Sequence, residues 1–305
     1  MTAMRLAIIG LGDIAKKAYL PVLTEKEGIE LILCTRNEDT LKQIASKYRI
    51  RECVQTVDEL MEKNIDAAIV STATEGHYET ARKLLLHGIH TYIDKPISMN
   101  LEESEEIVRL AKKKNAISMV GFNRRFIPMV KDLKMHGKPN MVIMQKNRFA
   151  SPDFTRRFVV EDFIHVVDTL RFLLGTEVKD IRVEYVKNGQ KLDHLVLMLL
   201  GENSTAIGIM NRNGGVTEET IEYSTGNEKY TVTGFVETTR YHNKDISFSK
   251  FGDWEPTLYK RGFYQMTDHF IDCVLNNETP APSLEDSLET HRICERIVKM
   301  IDPDA

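Results

Sequence analysis

Two short segments combine residue types that do chemistry with a position directly after an apolar run. The first is Gly10-Leu11-Gly12-Asp13-Ile14-Ala15, and the second is Asp94-Lys95-Pro96. Glycines between a strand and a helix permit a tight turn and a close approach of the backbone to a pyrophosphate. The first segment therefore predicts a dinucleotide site formed by Gly10, Gly12, Asp13, Ile14 and Ala15, and a glycine turn without a ligand is the alternative. The second places an amine, Lys95, where such a dinucleotide would react.

The next predicted strand ends without a carboxylate. A carboxylate at that point accepts hydrogen bonds from the ribose hydroxyls and repels a phosphate, whereas this chain has Cys34-Thr35-Arg36-Asn37. A guanidinium can pair bidentately with a phosphate. Thr35 and Arg36 therefore favour NADP over NAD as the cofactor, and a solvated surface charge is the alternative interpretation of Arg36.

Three loops later in the first half of the chain, including the Asp94-Lys95-Pro96 segment, directly follow predicted strands. We therefore expect them at one edge of a parallel sheet. The first is Ser71-Thr72-Ala73 with His77 just beyond it, the second is Asp94-Lys95-Pro96, and the third contains Asn123 and Arg125. Because a proline restrains the residue before it, Pro96 would hold Lys95 in the crevice. We expect cofactor contacts from Ser71, Thr72, Ala73, His77, Asp94, Lys95, Pro96 and Asn123.

A later apolar stretch, residues 160–174, has helical periodicity and carries ionisable side chains. Spacings of three and four residues place Glu161, His165 and Asp168 along one side. A histidine so placed can titrate near neutral pH and transfer a proton. A core histidine satisfied by a neighbouring carboxylate is the alternative.

These residues require a particular arrangement of elements. Helix and strand signals alternate through residues 1–122, which predicts an α/β domain with a doubly wound parallel sheet, a Rossmann domain. From about residue 138 the pattern changes to the helix at 160–174 and to strands near 181–186, 194–200, 204–210, 217–224 and 229–235. We therefore predict a second, α+β domain over 123–305, with a large, mainly antiparallel sheet and closing helices within 264–300.

Composition limits the function classes. The chain has 305 residues, a formal net charge of −4 and 42% hydrophobic residues, so it indicates neither a nucleic-acid-binding nor a membrane-binding surface. The N-terminal apolar stretch is too short for a signal peptide or a membrane span, and we expect a cytoplasmic protein. The four cysteines are widely spaced, which predicts neither a metal site nor a disulfide framework.

Taken together and in order, these segments resemble the Gfo/Idh/MocA oxidoreductases, most closely the MviM-like branch. The resemblance covers essentially the whole chain and is carried by the following segments: Gly10-Leu11-Gly12-Asp13-Ile14-Ala15, Ala18-Tyr19-Leu20-Pro21-Val22-Leu23, Asp94-Lys95-Pro96, Gly121-Phe122-Asn123-Arg124-Arg125-Phe126, Asp162-Phe163-Ile164-His165-Val166-Val167-Asp168, Arg261-Gly262-Phe263 and His269-Phe270. It implies a C-terminal open sheet that forms a subunit interface, and hence a homodimer or homotetramer.

The resemblance also implies residue roles. Lys95 corresponds to the lysine of the family's Glu-Lys-Pro motif, which hydrogen-bonds the reacting oxygen, and His165 corresponds to the histidine that moves its proton. Asp94 stands where the family usually has glutamate. Glu161 stands where the family has aspartate and is followed by Asp162, so either carboxylate could support His165.

The implied activity is hydride transfer between a nicotinamide and a secondary alcohol or ketone of a small sugar-like or polyol-like substrate. The implied catalytic residues are Lys95, His165, Glu161 and Asp162, and substrate contacts are expected from Lys95, Asn123, Arg125, His165 and Asp168. A regulator that binds a dinucleotide without catalysis, and redox-assisted glycoside cleavage, are the alternatives.

Overall fold

The computed structural model describes residues 3–303, which form two compact units. The first contains the chain up to Gly121 together with Phe263–Glu289, and the second contains Phe122–Gly262 together with the chain from Thr290. The sequence pattern places residues 264–300 in the second domain, whereas the structure groups 264–289 with the first unit. The reason lies in aromatic packing, because the rings of Phe263 and Phe270 lie edge-on against Tyr19 and Tyr92, at centroid distances of 5.9 and 5.6 Å.

The first unit is built on a six-stranded parallel sheet, as the alternating pattern predicts. Its strands are β1 (Met4–Ile9), β2 (Ile29–Cys34), β3 (Glu52–Val54), β4 (Ala67–Val70), β5 (His90–Ile93) and β6 (Ser118–Val120). They lie in the order β3-β2-β1-β4-β5-β6, so the order reverses between β1 and β4. Ligands of such sheets bind outside the carboxyl ends of the strands at this reversal.

Two helices of this part begin at residues whose side chains cap them. The helices of this part are α1 (Leu20–Leu23), which continues a π-helical turn at Ala15–Tyr19, then α2 (Glu38–Tyr48), α3 (Val57–Met61), α4 (His77–Leu86) and α5 (Leu101–Lys114). The Asn37 side chain accepts a hydrogen bond from the Thr40 amide at 2.8 Å, and this N-cap starts α2. Thr35 and Arg36 are therefore left as the link between β2 and α2.

The second unit carries a nine-stranded mixed sheet. Its strands are β7 (Met141–Asn147), β8 (Asp153–Phe154), β9 (Asp180–Asn188), β10 (Lys191–Leu200), β11 (Thr205–Asn211), β12 (Glu218–Ser224), β13 (Glu228–Thr233), β14 (Glu237–His242) and β15 (Asp245–Lys250). Only the β7–β11 pairing is parallel among the described strands of this sheet. The predicted mainly antiparallel sheet is confirmed.

The remaining helices follow the chain through both units. They are α6 (Pro128–Leu133), α7 (Thr155–Arg157), α8 (Ile164–Leu174), α9 (Thr257–Lys260), α10 (Phe263–Asn276) and α11 (Leu284–Ile301). The helix predicted over 160–174 is α8 preceded by a π-helical turn at Phe158–Phe163. Within residues 3–303 no helix combines the length and the apolar character needed to cross a membrane.

Several strands of the second unit were not predicted because they lack a clear alternation of apolar and polar residues. β7 holds Lys146 at a buried position, and all six residues of β15 are exposed. Apolar alternation identifies a strand only where one face is buried and apolar. These strands are defined by backbone pairing with their neighbours instead.

Candidate functional site

The glycine turn after β1 is shaped by close backbone approach. Gly10 has φ of +88°, and a Cβ there would lie 2.5 Å from the Thr72 amide nitrogen, so only glycine fits this turn without strain. The Ser71 hydroxyl donates to the Gly10 carbonyl at 2.9 Å. By contrast, a Cβ on Gly12 would meet no atom within 4 Å. The turn is therefore tied to the loop after β4 and opens outward at Gly12.

A cavity of about 1050 Å³ lies against this turn. Of the predicted cofactor contacts it brings together Gly10, Gly12, Thr35, Arg36, Ser71, Thr72 and Ala73. Asp13, Ile14 and Ala15 do not line it: Asp13 pairs with Lys17 at 2.8 Å and Ala15 is fully buried. His77, Asp94, Lys95, Pro96 and Asn123 also lie outside its lining.

The cavity has a further wall that the sequence did not indicate. It is formed by Gln55, Thr56, Val57, Asp58, Glu75, Gly76, Glu79, Thr80, Arg82, Lys83 and Leu86. The first four residues follow β3, and most of the others lie on α4. Because β3 has only three residues, hydrophobic alternation does not identify it in the sequence. A turn signal at Gln55-Thr56, where Thr56 caps α3 by accepting from the Glu59 amide at 3.2 Å, could have located this loop.

The end of the cavity beside β2 is polar and carries a positive charge. Arg36 is exposed, and its backbone carbonyl accepts a hydrogen bond from the Gln55 side chain at 3.5 Å. The nearest acidic residue along α2, Glu38, pairs with Lys42 at 2.6 Å. Within the described residues no hydrogen bond or ion pair engages the Arg36 guanidinium, which remains available to an anion.

The Asp94-Lys95-Pro96 segment is anchored by tyrosine hydroxyls. The Tyr19 hydroxyl donates to the Asp94 carboxylate at 2.8 Å, and the hydroxyls of Tyr19 and Tyr92 lie 3.1 Å apart. Burial, reinforced by the negative charge of Asp94, raises the pKa of Tyr19 well above its ordinary value, so Tyr19 stays protonated as a donor. Asp94 thus fixes the backbone beside Lys95, whose own side chain is half-buried.

Two residues predicted to contact substrate, Arg125 and Asp168, form an ion pair with each other. The Arg125 guanidinium donates to both oxygens of Asp168, at 2.8 and 2.6 Å, and the Thr290 hydroxyl donates to the same carboxylate at 3.0 Å. The Asp168 side chain is only 1% exposed. This buried, bidentate ion pair holds Arg125 and Asp168 against each other, and their expected substrate contacts stay predictions.

Asn123 is engaged in a similar way. Its amide nitrogen donates to the Arg261 carbonyl at 3.0 Å, and its amide oxygen accepts from Arg124 at 3.3 Å. Arg124 in turn donates three hydrogen bonds to Glu219, at 2.9, 2.8 and 2.7 Å. Each end of the Asn123 side chain therefore makes a hydrogen bond within the second unit, and its expected contacts with cofactor and substrate stay predictions.

The two carboxylates proposed to support His165 both lie in the π-helical turn before α8, and they have different partners. Glu161 accepts a hydrogen bond from Arg157 at 3.0 Å. Asp162 pairs with the buried Lys146 ammonium and with Arg148 at 3.3 Å. Burial alone would raise the pKa of Asp162, but Lys146 and Arg148 outweigh it and hold that pKa well below its usual range. Asp162 thus anchors the turn to β7.

His165 itself lies in the first turn of α8 and is half-buried. Its backbone carbonyl accepts a hydrogen bond from the Thr169 hydroxyl at 2.6 Å. Over residues 3–303 no group of three or more histidine, cysteine, aspartate or glutamate side chains is arranged to hold a metal ion.

Comparison with known proteins agrees with this architecture. Residues 4–122 match the model of the oxidoreductase family with an NAD-binding Rossmann fold. A Gfo/Idh/MocA family oxidoreductase from Vibrio cholerae superimposes with a TM-score of 0.92 and 31% identity, covering 98% of this chain and 99% of that one. The dehydrogenase MviM from Clostridium difficile gives a TM-score of 0.91 and 31% identity, over 97% of this chain and 99% of that one.

A more distant relative has a named substrate. The scyllo-inositol 2-dehydrogenase (NAD(+)) of Bacillus subtilis is 24% identical over 306 residues, covering 91% of this chain and 88% of its own. The similarity to the two solved structures runs through both units at more than 30% identity, and the Rossmann unit matches the family model. The chain therefore belongs to the Gfo/Idh/MocA family of oxidoreductases and has the NAD-binding Rossmann domain of that family.

Proposed function

We propose that this protein is an NADP-dependent dehydrogenase that transfers a hydride between the nicotinamide and a secondary alcohol or ketone of a sugar-like or polyol-like substrate. One observation carries the proposal. A single unit combines a large cavity at the glycine turn, an available guanidinium at Arg36 and a lysine, Lys95, directly after the neighbouring strand β5. The relative that acts on scyllo-inositol supports a polyol as the substrate class.

The residues present fit a dinucleotide. The open space above Gly12 would admit a diphosphate, and Thr35 and Arg36 would hold a ribose phosphate. When bound, the cofactor supplies the hydride chemistry, and the protein supplies orientation and proton movement. Arg36 is the residue that favours NADP over NAD, because no carboxylate occupies the end of β2.

Lys95 and His165 have complementary roles in this proposal. Lys95 donates a hydrogen bond to the reacting oxygen and stabilises its negative charge. His165 accepts or returns the proton of the hydroxyl. Of the two carboxylates considered to support it, Glu161 is favoured, because its partner Arg157 is exposed whereas Asp162 is held by the buried Lys146 ammonium and by Arg148.

The first test concerns Lys95. Inositols, hexoses and their glycosides are screened with NADP⁺ and NAD⁺ for formation of the reduced nicotinamide. With a substrate in hand, Lys95→Ala is expected to lower kcat by about 100-fold or more while NADPH binding persists, because one donor to a developing oxyanion is removed. The exposed Lys112→Ala serves as control. An unchanged kcat in Lys95→Ala, or glycoside cleavage without net cofactor conversion, would contradict the proposal.

The second test concerns cofactor choice. Arg36→Ala is expected to weaken NADPH binding by roughly 10-fold or more and to leave NADH binding unchanged, since a hydrogen bond to a charged group contributes about 1.5–3 kcal/mol. Binding is measured by titration of each reduced cofactor. Arg51→Ala, another exposed arginine of the first unit, is the matched control. Equal losses for NADPH and NADH, or no loss for either, would contradict a contact between Arg36 and the ribose phosphate.

We also propose that the second unit mediates a homodimer or homotetramer. Its strands expose apolar side chains, among them Tyr185, Ile246 and Phe248, and exposed apolar patches mark interaction surfaces. Light scattering of the purified protein tests this, and a monomer at micromolar concentration would contradict it.

A further inference from the structure

The turn between β13 and β14 holds a phenylalanine in a backbone conformation that side chains rarely adopt. Gly234 and Phe235 have φ angles of +58° and +63°, and the Val236 amide donates to the Thr233 carbonyl at 3.1 Å, which closes a β-turn around them. A bulky residue at positive φ is strained. The Phe235 side chain is nevertheless buried, at 1% exposure, so its surroundings hold the ring in place against this strain.

Two guanidinium groups lie against this ring. The guanidinium carbons of Arg124 and Arg261 are each 5.8 Å from its centroid, which is within the range of a cation–π contact. Arg124 is buried and forms an ion pair with Glu219. Arg261 is exposed, and within residues 3–303 no hydrogen bond or ion pair engages its guanidinium. The ring of Phe235 therefore orients a positive charge that no carboxylate neutralises.

The backbone of Arg261 is fixed as well as its side chain. Its carbonyl oxygen accepts a hydrogen bond from the Asn123 side chain at 3.0 Å. The next residue, Gly262, has φ of +77°, and a Cβ there would lie 2.6 Å from the Asn123 carbonyl oxygen. Only glycine lets the chain pass this close to Asn123. Arg261 thus has a fixed place beside the 3₁₀ turn Asn123–Phe126.

The same turn is attached to the helix that carries His165. Arg125 of the turn binds Asp168, which lies three residues after His165 on α8. A 3₁₀ turn rises about 2 Å per residue, so the attachments at Asn123 and Arg125 are only about 4 Å apart along its axis. Arg261 and the start of α8 therefore meet this turn at nearly the same place, a separation that a sugar-sized molecule can span.

We propose that Arg261 determines substrate specificity by binding an anionic group, so that the substrate is a sugar or polyol that carries a carboxylate or a phosphate. The inference rests on the proposed function, in which His165 moves the proton of the reacting hydroxyl. A guanidinium matches either anion in charge and can donate two parallel hydrogen bonds to it. Phe235 is a positioning residue, because its ring orients the guanidinium before the substrate arrives and so reduces the ordering that binding requires.

The direct test is anion binding to the full-length protein saturated with NADPH, which occupies the proposed phosphate site at Arg36. Sodium malonate and sodium phosphate are titrated at constant ionic strength, with glycerol as the neutral probe, and the unfolding temperature is recorded. The apparent dissociation constant of at least one anion is expected to rise about 10-fold or more in Arg261→Gln. Arg51→Gln, another exposed arginine, is the control and should match the parent. Equal responses of the parent and Arg261→Gln to both anions would overturn the proposal.

The kinetic test compares substrates that differ in one group: D-glucose, D-glucuronate and D-glucose 6-phosphate, and likewise myo-inositol and its monophosphates. We expect a higher kcat/KM for a charged form than for its neutral counterpart. In Arg261→Gln the kcat/KM of the charged form should fall about 10-fold or more, chiefly through KM, and that of the neutral form should not change. Preference for D-glucuronate would identify a carboxylate as the anion, and preference for a sugar phosphate would identify a phosphate.

Two further variants separate recognition from folding. Arg261→Lys keeps the charge and should recover part of the loss. Phe235→Leu keeps an apolar side chain at the turn but removes the aromatic face, and it should raise KM for the charged form about 2- to 5-fold. A neutral substrate preferred by the parent, with Arg261→Gln unchanged, would overturn the proposal and leave the proposed function intact. Absence of hydride transfer with every substrate and both cofactors would contradict the proposed function, and the anion titration would still decide the role of Arg261.

Discussion

At the scale of single residues, Asp94 of the Asp94-Lys95-Pro96 segment has a shorter side chain than the glutamate usual in the family, and neighbouring tyrosines pack around it. The Asp94 carboxylate accepts from Tyr19, and Tyr19 and Tyr92 are both fully buried beside it. Gly121, at the end of β6, leaves the space that this arrangement needs. A Cβ there would collide with the Tyr92 hydroxyl and lie 3.1 Å from the Asp94 carboxylate.

We therefore expect Gly121→Ala to displace Asp94 and, through it, Lys95. The free energy of unfolding should fall by about 1–3 kcal/mol, the usual cost of overpacking a buried site, and kcat should fall as well. Chemical denaturation and turnover assays measure the two effects. Gly226→Ala is the matched control, because a Cβ at Gly226 meets nothing within 4 Å. Equal behaviour of the two variants would argue against the packing role of Gly121.

At the scale of elements, the π-helical turn before α8 is held by charge. Asp162 binds Lys146 on β7 and Arg148, and the Lys146 side chain is 1% exposed. Glu219 on β12 pairs with Arg124, and although burial opposes it, the cations around Glu219 lower its pKa too. The start of α8, where His165 lies, is thus attached to the sheet of the second unit by buried ion pairs.

Asp162→Asn should destabilise the protein by about 3–5 kcal/mol at neutral pH, because it leaves the Lys146 charge buried without its partner. The folded-state pKa of Asp162 is lowered below the unfolded value of 3.8. The carboxylate therefore contributes stability above that value and loses it as the pH falls through the folded pKa. The pKa of Lys146 is itself lowered to about 7, chiefly by burial, so the contribution of Asp162 is best followed at lower pH. The difference between parent and variant should shrink as denaturation curves are recorded from about pH 5 towards pH 3, where the unfolded-state carboxyl becomes protonated. A difference that grew between about pH 5 and pH 3 would refute this account.

At the scale of the whole molecule, the chain returns to its first unit near its end. α10 carries Phe263, Met266 and Phe270 onto the tyrosines that anchor the Asp94 segment, and the Tyr92 hydroxyl lies 3.1 Å from the Met266 sulfur. A Rossmann unit cut after residue 122 would lack these contacts. The core around the lysine segment is therefore completed by residues from far along the chain.

Phe270→Ala is expected to lower the free energy of unfolding by about 3–5 kcal/mol, the cost of removing a buried aromatic ring, and to reduce NADPH affinity if the first unit loosens. Thermal and chemical unfolding, followed with and without NADPH, provide the measurement. Leu275→Ala on the same helix is the control, since Leu275 is 63% exposed. If both substitutions cost the same, α10 would not be part of the core of the first unit.

Local features of the sequence determined the class of the fold and the cofactor end of the site. Gly10, Gly12, Thr35, Arg36 and Ser71 lie at the ends of strongly patterned strands, and the structure gathers them around one cavity. The reason is that the positions of the strands and of the loops after them follow from short-range hydrophobic periodicity, which can be read directly along the sequence. The contribution of Gln55 and Thr56 to the cavity was not predicted, because the strand before them, β3, is only three residues long.

Only the tertiary structure decided what the polar side chains bind. His77, Asn123, Arg125, Asp162 and Asp168 all have residue types suited to ligands, yet their partners are carbonyl, carboxylate and ammonium groups distant in sequence. A buried polar group must find a partner, and which group serves depends on packing between segments that spacing along the chain does not encode. The placement of α10 in the first unit has the same origin, because its apolar face specifies burial without specifying the surface that buries it.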